Sequence, residues 1–428
     1  MFTNVHDLIS WVEHQRRFSP KMSLEKVQAL CKVYGNPQES FRSIHVGGTN
    51  GKGSVTDYLK NICLEHGLHV GTYISPFVTR FNERITYDGV DISDEDFLRY
   101  GNIILKQYPE IERLGIELPT FFEFVTILAY LYFKDIKELD LVIFEVGLGG
   151  LLDATNVIKP MLSIITNISY DHMNVLGNTL ESIAMNKLGI VKPGVALISG
   201  VKEPFLRTLF QEVASNKGSN CTFVDYEALT IKEISLQQTL FSYKHHKDVA
   251  LQMKGSHQAE NASLVLEAID YLNQKSNFKF SLEKCYQGLQ KTHWVGRLET
   301  VCSNPIILLD GAHNIDGVKR LSEFISSVKQ DKFVTLVFAV SADKEKDKMI
   351  HQLEPVVDEI IFTQFAYERS DKANLIYELS THPNKRVCSN VDEIINEVSK
   401  QTDHLIVFAG SLYFVSEVRP KLLALNQR

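Results

Sequence analysis

The chain has 428 residues, a length that suggests two or three domains of ordinary size. Its 44% hydrophobic and 23% charged residues exclude disordered, collagen-like and coiled-coil proteins. The net charge of −7 argues against a nucleic-acid-binding protein held by a general positive field, although a local basic cleft stays open. The six cysteines form no C-x-x-C pair, which favours reduced core thiols over a zinc ribbon or a disulfide scaffold.

The first predicted element is an amphipathic helix near the amino terminus, where the apolar residues between Val5 and Val12 follow helical spacing. Acidic residues interrupt this stretch, so it lacks the apolar core of a signal peptide. We therefore expect a cytoplasmic protein without a targeting segment.

An alternation of short apolar strands and amphipathic helices begins near residue 43. The strands are nearly continuous in apolar residues, which is typical of a parallel sheet covered by helices on both faces. The alternation restarts after Gly296, so we predict an α/β fold with a larger domain over 1–296 and a smaller α/β domain over 297–428. The predicted strands lie at 43–46, 69–74, 139–145, 161–168, 305–309, 333–340, 359–363 and 404–409. The predicted helices lie at 179–190, 203–216, 257–274, 314–329, 344–355, 391–401 and 411–425.

The sharpest local signal is the run GGTNGKGS at residues 47–54, which follows the first strand and opens a helix. Its glycines let backbone N–H groups converge on phosphate oxygens, the helix N-terminus adds positive potential, and Lys52 supplies a mobile cation. The strict G-x-x-x-x-G-K-[ST] pattern is not met, because position 46 is Val and Gly53 follows the lysine. The context favours a phosphate-binding loop over a plain strand-to-helix turn.

The longest apolar stretch, residues 121–133, is too short to span a membrane and contains Glu123. Thr120 and Glu123 form a T-x-x-E capping box at its start. The stretch is therefore predicted to be a buried helix of a globular domain.

Polar side chains follow the other predicted strands. Glu145 ends a strand before a glycine-rich loop, where a carboxylate can bind Mg²⁺ or serve as a structural hydrogen-bonding group. Asp171 and His172 follow another strand, where an imidazole can bind a metal or a phosphate, although a lone histidine is usually structural. Ser75 offers a hydroxyl or simply begins a Ser-Pro turn. Residues 310–314, the run DGAHN, form a polar cluster that binds a ligand or makes an Asx turn with a helix cap.

Taken in order, these motifs resemble those of the folylpolyglutamate synthase/dihydrofolate synthase family, which is related to the Mur ligases. The ordered set covers nearly the whole chain and is highly specific, whereas no single motif is. The matching segments are 45–54, 75–76, 81–85, 145–150, 153–156, 171–172, 183–190, 257–261, 294–299, 310–314 and 410–413.

The resemblance implies an ATP-dependent ligase that adds L-glutamate to tetrahydrofolate in γ-amide linkage. A folate γ-carboxylate attacks the γ-phosphate of ATP to give an acyl phosphate, and the amine of L-glutamate then displaces phosphate. Bound Mg²⁺ and cationic side chains offset the repulsion between the carboxylate and the triphosphate. The resemblance also implies a P-loop-type, Mur-ligase-like ATP-binding domain over 1–296 and a Rossmann-like glutamate-ligase domain over 297–428. Joining dihydropteroate to L-glutamate stays open as a second activity.

The resemblance assigns catalytic roles to Lys52, His313 and Lys187, the last as a carbamate. An unmodified ammonium cannot ligate a cation, because it has three donors and no acceptor. Without the resemblance, Lys187 would be interpreted as a solvated helix lysine.

The resemblance also implies binding residues and partners. Two Mg²⁺ sites are expected, and a monovalent cation is left open. ATP, L-glutamate and a reduced folate are the expected partners of a monomer that binds neither nucleic acid nor membrane. The implied metal ligands are Ser75, Glu145 and His172; the implied ATP contacts are Thr49, Asn50, Gly51, Lys52, Gly53, Ser54, Asn261, Arg297 and Asp310; the implied folate contacts are Leu24, Glu25, Phe121, Phe122 and Glu123.

The chain departs from the family pattern at three positions on the substrate side. Leu151 stands where an arginine is common, Asn186 where an acidic residue is frequent, and Ser23 where a glycine is common in the segment 22–25. The ATP-binding motifs are intact.

Two other functions stay open. One is a Mur-type ligase acting on a UDP-muramyl peptide, and the other is a nucleotide-binding regulator without turnover. The G-K-G-S form of the phosphate loop argues against the first. The presence of Lys52, Glu145, His172 and Lys187 argues against the second.

Overall fold

The computed structural model describes residues 1–16 and 23–425. Contacts divide the chain into two compact units. The first unit consists of residues 1–226 and 261–289, and the second of residues 227–260 together with the chain from Gln290 onward. No helix in the described ranges is both long enough and apolar enough to cross a membrane.

The first unit is built on a predominantly parallel sheet. Its strands are β1 (Ser43–Gly47), β2 (Val70–Tyr73), β3 (Ile85–Tyr87), β4 (Val90–Asp91), β5 (Leu141–Glu145), β6 (Leu162–Ile165), β7 (Leu197–Ser199) and β8 (Cys221–Phe223). Their order is β4-β3-β2-β5-β1-β6-β7-β8. The strands from β2 to β8 in that order pair in parallel, and the short β3 and β4 add an antiparallel edge. The central strands β1, β5 and β6 are buried at every position, as expected for strands covered on both faces.

Helices of the first unit cover this sheet. They are α1 (Val5–Glu13), α2 (Leu24–Val33), α3 (Lys52–Glu65), α4 (Asp94–Lys106), α5 (Tyr108–Arg113), α6 (Phe121–Asp135), α7 (Met173–Leu176), α8 (Leu180–Leu188) and α9 (Pro204–Asn216). Two further helices, α10 (Ser256–Lys275) and α11 (Leu282–Lys291), follow later in the chain.

The predicted buried helix at 121–133 is confirmed as α6. The Thr120 side chain accepts a hydrogen bond from the Glu123 amide, and Glu123 Oε2 accepts one from the Thr120 amide at 2.7 Å. This reciprocal pair satisfies two amides that a helix start otherwise leaves without partners. Phe124, Tyr130 and Phe133 of this helix pack into an apolar core of the unit.

The second unit contains two sheets. A three-stranded antiparallel sheet consists of β9 (Leu229–Ile234), β10 (Thr239–Tyr243) and β11 (His246–Leu251). The larger sheet has the order β12-β13-β17-β14-β15-β16 and is parallel except for β12. Its strands are β12 (Glu299–Ser303), β13 (Ile306–Asp310), β14 (Phe333–Phe338), β15 (Glu359–Phe362), β16 (Lys385–Val387) and β17 (His404–Ala409), and its helices are α12 (Ile315–Val328), α13 (Lys346–Leu353), α14 (Ala373–Leu379), α15 (Val391–Val398) and α16 (Leu412–Leu425).

The α/β fold is confirmed, with strands and helices close to their predicted bounds. The strand predicted at 161–168 is shorter, because residues after Ile165 leave the sheet and bond to the phosphate loop. The three-stranded sheet was not predicted. Ile234 and Leu236 from this segment pack against the core of the second unit, so residues 227–260 belong there. The domain division at 296/297 stays a prediction, and it differs from the compact units in this segment.

Candidate active site

The strand order of the first unit brings four chain segments to one edge of its sheet. Strands β2, β5, β1 and β6 are parallel neighbours, so the residues after each strand meet at the same carboxyl edge. These residues are Ser75, Glu145, the phosphate loop and His172. The Ser75 amide donates a hydrogen bond to Glu145 Oε2 at 3.4 Å, which joins two of the segments directly.

The phosphate loop, residues 48–51, is fastened to the segment that follows β6. The Thr49 amide donates to the Asn167 carbonyl oxygen at 3.0 Å, and the Asn50 amide donates to Asn167 Oδ1 at 2.9 Å. The Thr166 hydroxyl donates to the Asn50 carbonyl oxygen at 2.5 Å. These bonds hold the loop in shape before any phosphate is bound.

Two glycines of this loop leave no room for a side chain. Gly48 has φ +138°, and a Cβ atom there would lie 1.9 Å from Thr166 Oγ1. Gly51 has φ +83°, and a Cβ atom there would lie 2.6 Å from Asn261 Oδ1. Both φ values lie in the region that favours glycine. Asn261, an implied ATP contact, therefore sits against the start of α3 within the first unit.

Two lysine ammonium groups converge on the carbonyl oxygen of Gly48. Lys52 Nζ donates to it at 3.2 Å and to the Thr49 carbonyl oxygen at 3.1 Å, while Lys187 Nζ donates to the Gly48 oxygen at 2.8 Å. Lys187 is only 4% exposed. Burial lowers the pKa of Lys187 to about 7, repulsion from Lys52 adds to this, and the carboxylates of Asp171 and Asp153 oppose it. A positive pair in a buried loop is suited to an anion.

The implied metal ligands lie beside this loop. Glu145 is 5% exposed and is opposite Val46 in the pairing of β5 with β1, two residues before Gly48. His172 is the N-cap residue of α7 with φ +50°, and its half-exposed ring has Nε2 3.9 Å from Asp171 Oδ2. A buried carboxylate and a hydroxyl are donors of the kind that Mg²⁺ prefers, so Ser75 and Glu145, which are joined through the Ser75 amide, fit a divalent cation.

The implied folate contacts lie at the starts of α2 and α6. Lys26 Nζ lies 2.8 Å from Glu123 Oε2, and this largely buried ion pair ties the two helix starts together. Leu24 and Glu25 form the first turn of α2, whose N-cap is Ser23. Of the segment 22–25, residue 22 lies outside the described residues.

Aromatic side chains connect the start of α6 to the metal-side loop. A Cβ atom on Gly147 would lie 2.5 Å from Phe122 Cζ, so Phe122 packs directly on the glycine-rich loop after β5. The Phe121 ring is one of three that surround the buried Arg84 guanidinium, with Phe77 and Phe81, at 5.1 to 5.3 Å between Cζ and the ring centroids. Phe122 therefore lies against the loop that follows β5, two residues after Glu145.

The second unit holds Arg297, Asp310 and His313. The buried Asp310 carboxylate accepts hydrogen bonds from the Leu298 and Ala312 amides, each at 2.9 Å. Burial raises the pKa of Asp310, while Arg297 and these amides lower it. His313 Nδ1 lies 2.7 Å from the Gly311 carbonyl oxygen, so Nδ1 carries the proton in that bond.

Lys254, a buried residue that was not predicted from the sequence, supports this group. Its ammonium donates to the Leu298 carbonyl oxygen at 2.9 Å and to Thr300 Oγ1 at 2.6 Å. Burial lowers the pKa of Lys254 to about 8, and Glu299 opposes this. The sequence offered one signal: Lys254 follows the mostly apolar run 249–253 and comes shortly before the matching segment 257–261.

One departure from the family pattern, Asn186, has a local structural explanation, whereas nothing in the structure explains the leucine at 151. Asn186 Nδ2 donates to the carbonyl oxygens of Leu176 and Ser182, each at 3.3 Å, which ties α7 to α8. The Leu151 amide donates to the Asn186 carbonyl oxygen at 2.7 Å, and Leu151 itself is 46% exposed.

Residues 101–269 match the Mur ligase middle domain, and residues 296–412 match the Mur ligase, glutamate ligase domain. The chain is similar to the dihydrofolate synthase/folylpolyglutamate synthase of Bacillus subtilis, with 36% identity over 99% of this chain and 100% of that protein. It is 30% identical to the folylpolyglutamate synthase of Lacticaseibacillus casei over 98% of this chain and 99% of that protein. Among solved structures, it is similar to folylpolyglutamate synthase from Thermotoga maritima, with TM-score 0.85, 30% identity and coverage of 98% and 96% of the two chains. It is also similar to E. coli FolC in complex with DHPP and ADP, with TM-score 0.87, 25% identity and coverage of 100% and 99%.

Proposed function

This chain belongs to the folylpolyglutamate synthase/dihydrofolate synthase family of ATP-dependent amide ligases, and from that membership we propose how its own residues carry out the reaction. It joins L-glutamate to a folate in γ-amide linkage at the expense of ATP. Full-length similarity to folate ligases favours this function over a Mur-type ligase or a regulator without turnover.

The observation that carries the proposal is the convergence of Lys52 and Lys187 on the Gly48 carbonyl oxygen, at the sheet edge where Glu145 ends β5. Residues 49–54 hold the phosphates of ATP: the amides of Gly51, Gly53 and Ser54 donate to phosphate oxygens, while Thr49 and Asn50, whose amides donate to Asn167, shape the loop around them. Lys52 exchanges its carbonyl partners for the β- and γ-phosphate oxygens when the nucleotide enters. Asn261 supports the nucleotide from beside Gly51, and Arg297 and Asp310 are assigned to further nucleotide contacts.

We assign Ser75 and Glu145 to one Mg²⁺ site and His172 to a second. Bound Mg²⁺ supplies positive charge that lowers the repulsion between the folate carboxylate and the triphosphate. Lys187 contributes to the second site as a carbamate: its neutral amine nitrogen attacks CO₂, an N–C bond forms, and an amine proton passes to water. A lysine with a pKa near 7 offers the neutral amine at physiological pH, which supports this assignment.

The folate carboxylate oxygen then bonds to the γ-phosphorus of ATP and ADP leaves. The amine of L-glutamate attacks the resulting acyl phosphate, and inorganic phosphate leaves. His313 takes up the proton from the amine, since its Nδ1 proton is engaged with Gly311 and its acceptor lone pair is on Nε2. Leu24, Glu25, Phe121, Phe122 and Glu123 bind the folate.

The relatives' names cover both folylpolyglutamate and dihydrofolate synthesis, so we propose that dihydropteroate is an acceptor as well. Phosphate release is measured with tetrahydrofolate and dihydropteroate side by side, each with and without L-glutamate. Both acceptors are expected to support release only when L-glutamate and Mg²⁺ are present. If tetrahydrofolate supports release and dihydropteroate does not, the activity is restricted to polyglutamate synthesis. Release triggered only by a UDP-muramyl peptide would contradict the proposal.

Substitutions test the residue assignments. Lys52→Ala and Glu145→Ala are each expected to lower kcat by about 10²–10³-fold or more, because both act on charge in the transition state. Lys159→Ala and Glu138→Ala serve as matched controls on exposed side chains of the same unit and keep wild-type activity. Near-normal turnover in Lys52→Ala or Glu145→Ala would remove that residue from the mechanism.

The carbamate is tested by carbon-13 NMR of the enzyme in labelled bicarbonate. A carbamate signal is expected in the wild type and not in Lys187→Arg. An active preparation without the signal would overturn the carbamate assignment. A monomeric, cytoplasmic enzyme is part of the proposal, and light scattering and cell fractionation test it.

A further inference from the structure

Three buried polar side chains form a chain of hydrogen bonds beneath the active-site loops. His45 lies in the middle of β1, Asp153 follows the glycine-rich loop after β5, and the Thr155 side chain bonds to both. His45 and Thr155 are fully buried, and Asp153 is nearly so. His45 Nε2 is 2.8 Å from Thr155 Oγ1, and Thr155 Oγ1 donates to Asp153 Oδ1 at 2.5 Å. The proposed reaction uses none of these three side chains.

The hydrogen bonds of this series run in one direction, because a threonine hydroxyl has only one proton to donate. Asp153 Oδ1 also accepts from the Thr155 amide at 3.0 Å, and Asp153 Oδ2 accepts from the Leu148 amide at 2.9 Å. Burial raises the pKa of Asp153, whereas hydrogen bonds from Thr155, Leu148 and Gly147 lower it, and these N–H and O–H donors favour the ionised carboxylate. The Thr155 hydroxyl therefore donates toward Asp153, and Thr155 Oγ1 accepts from the His45 ring.

That direction determines the tautomer of His45. If Thr155 Oγ1 accepts, His45 Nε2 carries the ring proton and Nδ1 does not. His45 Nδ1 is buried and has no hydrogen-bond partner among the described residues, which suits a bare ring nitrogen better than an N–H group. Burial, followed by the charge of Lys192, lowers the pKa of His45 to about 3, so the ring is neutral.

Asp153 and His45, at the two ends of this hydrogen-bonded series, hold different parts of the site. Asp153 binds the amide of Leu148, three residues after Glu145, and so restrains the loop that carries the proposed magnesium carboxylate. His45 stands two residues before Gly47, where β1 enters the phosphate loop. A shift of the loop relative to the strand would therefore have to break a buried hydrogen bond, which costs more than breaking an exposed one.

We infer that Thr155 is a positioning residue of this ligase: its hydroxyl links His45, as the Nε2–H tautomer, to the ionised Asp153 and thereby aligns the loop after Glu145 with the phosphate loop. The catalytic part of this inference rests on the proposed function. The tautomer does not, and it is measured separately.

The first test is nitrogen-15 NMR of the full chain labelled at histidine, with the His45 ring assigned by the loss of its signals in His45→Gln. The expected spectrum shows a neutral ring protonated at Nε2. A ring protonated at Nδ1 would reverse the direction of these hydrogen bonds and overturn the inference. This result does not depend on whether any preparation is active.

The second test compares Thr155→Val, which keeps the shape without the hydroxyl, with Thr155→Ser, which keeps the hydroxyl. Thr155→Val is expected to lower kcat by about 10–100-fold with little change in the KM for ATP, since it removes support from groups that act in the transition state. Thr155→Ser is expected to recover most of the lost kcat. Wild-type kcat in folded Thr155→Val, or equal losses in the two variants, would overturn the inference. If Thr155→Val does not fold, a large loss of kcat in Thr155→Ser, or a His45 ring protonated at Nδ1, would still overturn the inference. A wild-type enzyme that forms no ADP with folate and L-glutamate would count against the proposed function alone.

Discussion

The ammonium groups of Lys52 and Lys187 share one acceptor, the carbonyl oxygen of Gly48, at 3.2 and 2.8 Å. The two residues come from different helices and are 135 positions apart in the sequence. Two cations on one neutral oxygen repel each other, and this repulsion contributes to the lowered pKa of Lys187. The loop is therefore poised for negative charge, which ATP brings and which a carbamate on Lys187 would also supply.

Substitution of Lys187 by methionine is expected to stabilise the protein at neutral pH. The pKa of Lys187 is lowered from 10.5 to about 7, so between these values the unfolded chain binds more protons and stability rises with pH. Lys187→Met removes this cost, worth about 2–4 kcal/mol at pH 7, and the gain shrinks as the pH approaches 10. Urea unfolding midpoints at pH 7 and pH 9.5, in buffer depleted of CO₂, measure the effect. The exposed Lys159→Met is the control, and a gain that does not depend on pH would refute the explanation.

Alanine at Gly48 is expected to disable the phosphate loop. Its Cβ would overlap Thr166 Oγ1 at 1.9 Å and meet the Thr166 amide nitrogen at 3.0 Å, so the backbone has to move. Gly67→Ala is the matched control: Gly67 also has positive φ, at +73°, but a Cβ atom there would have no neighbouring atom within 4 Å. The control should cost about 1 kcal/mol and retain ADP binding, whereas Gly48→Ala should lose ADP binding in calorimetry. Equal ADP affinity in the two variants would contradict this prediction.

Lys254→Met is expected to weaken ATP binding through the turn at Leu298. Leu298 has φ +47°, and the turn is held from both sides, by Asp310 at its amide and by Lys254 at its carbonyl. Without the ammonium, the neighbouring Arg297 loses its fixed position, and the KM for ATP should rise about tenfold while the KM for folate stays constant. Steady-state kinetics at saturating folate test this, with the exposed Lys247→Met as control. An unchanged KM for ATP would exclude Lys254 from supporting nucleotide binding.

Arg84→Lys is expected to lower stability and folate affinity together. The Arg84 guanidinium lies 5.1 to 5.3 Å from three phenylalanine rings, and a lysine ammonium stacks less well on them. We expect a loss of about 1–2 kcal/mol in the free energy of unfolding and a raised KM for folate, since Phe121 is one of the rings. Thermal unfolding and kinetics measure both. Arg80→Lys, at an exposed arginine in the same segment, should change neither value.

The active-site edge was predictable from sequence because its chemistry lies at strand ends. Glu145 ends one fully buried strand and the phosphate loop follows another, and continuous apolar runs mark such strands clearly. The capping box at Thr120 was predictable for a similar reason, since both partners lie within one turn of helix.

Features that depend on distant contacts could not be predicted in this way. The strand β9 contains only exposed and half-buried residues and lacks the apolar run that marked the other strands. Lys187 resembles any helix lysine until the fold brings Gly48 to 2.8 Å from its ammonium. Lys254 likewise shows its role only through bonds to Leu298 and Thr300, more than forty positions away.

The place of β1 in the sheet also constrains how the protein is made. In the folded sheet Ile44 is opposite both Ile143 of β5 and Leu162 of β6, so the middle strand waits for neighbours that emerge from the ribosome about a hundred residues later. A nascent chain that ends before residue 167 contains the phosphate loop but lacks Asn167, whose side chain accepts a hydrogen bond from that loop. Nucleotide binding should therefore not begin before residue 167 has left the ribosome, and stalling chains of increasing length on the ribosome would locate the length at which it starts.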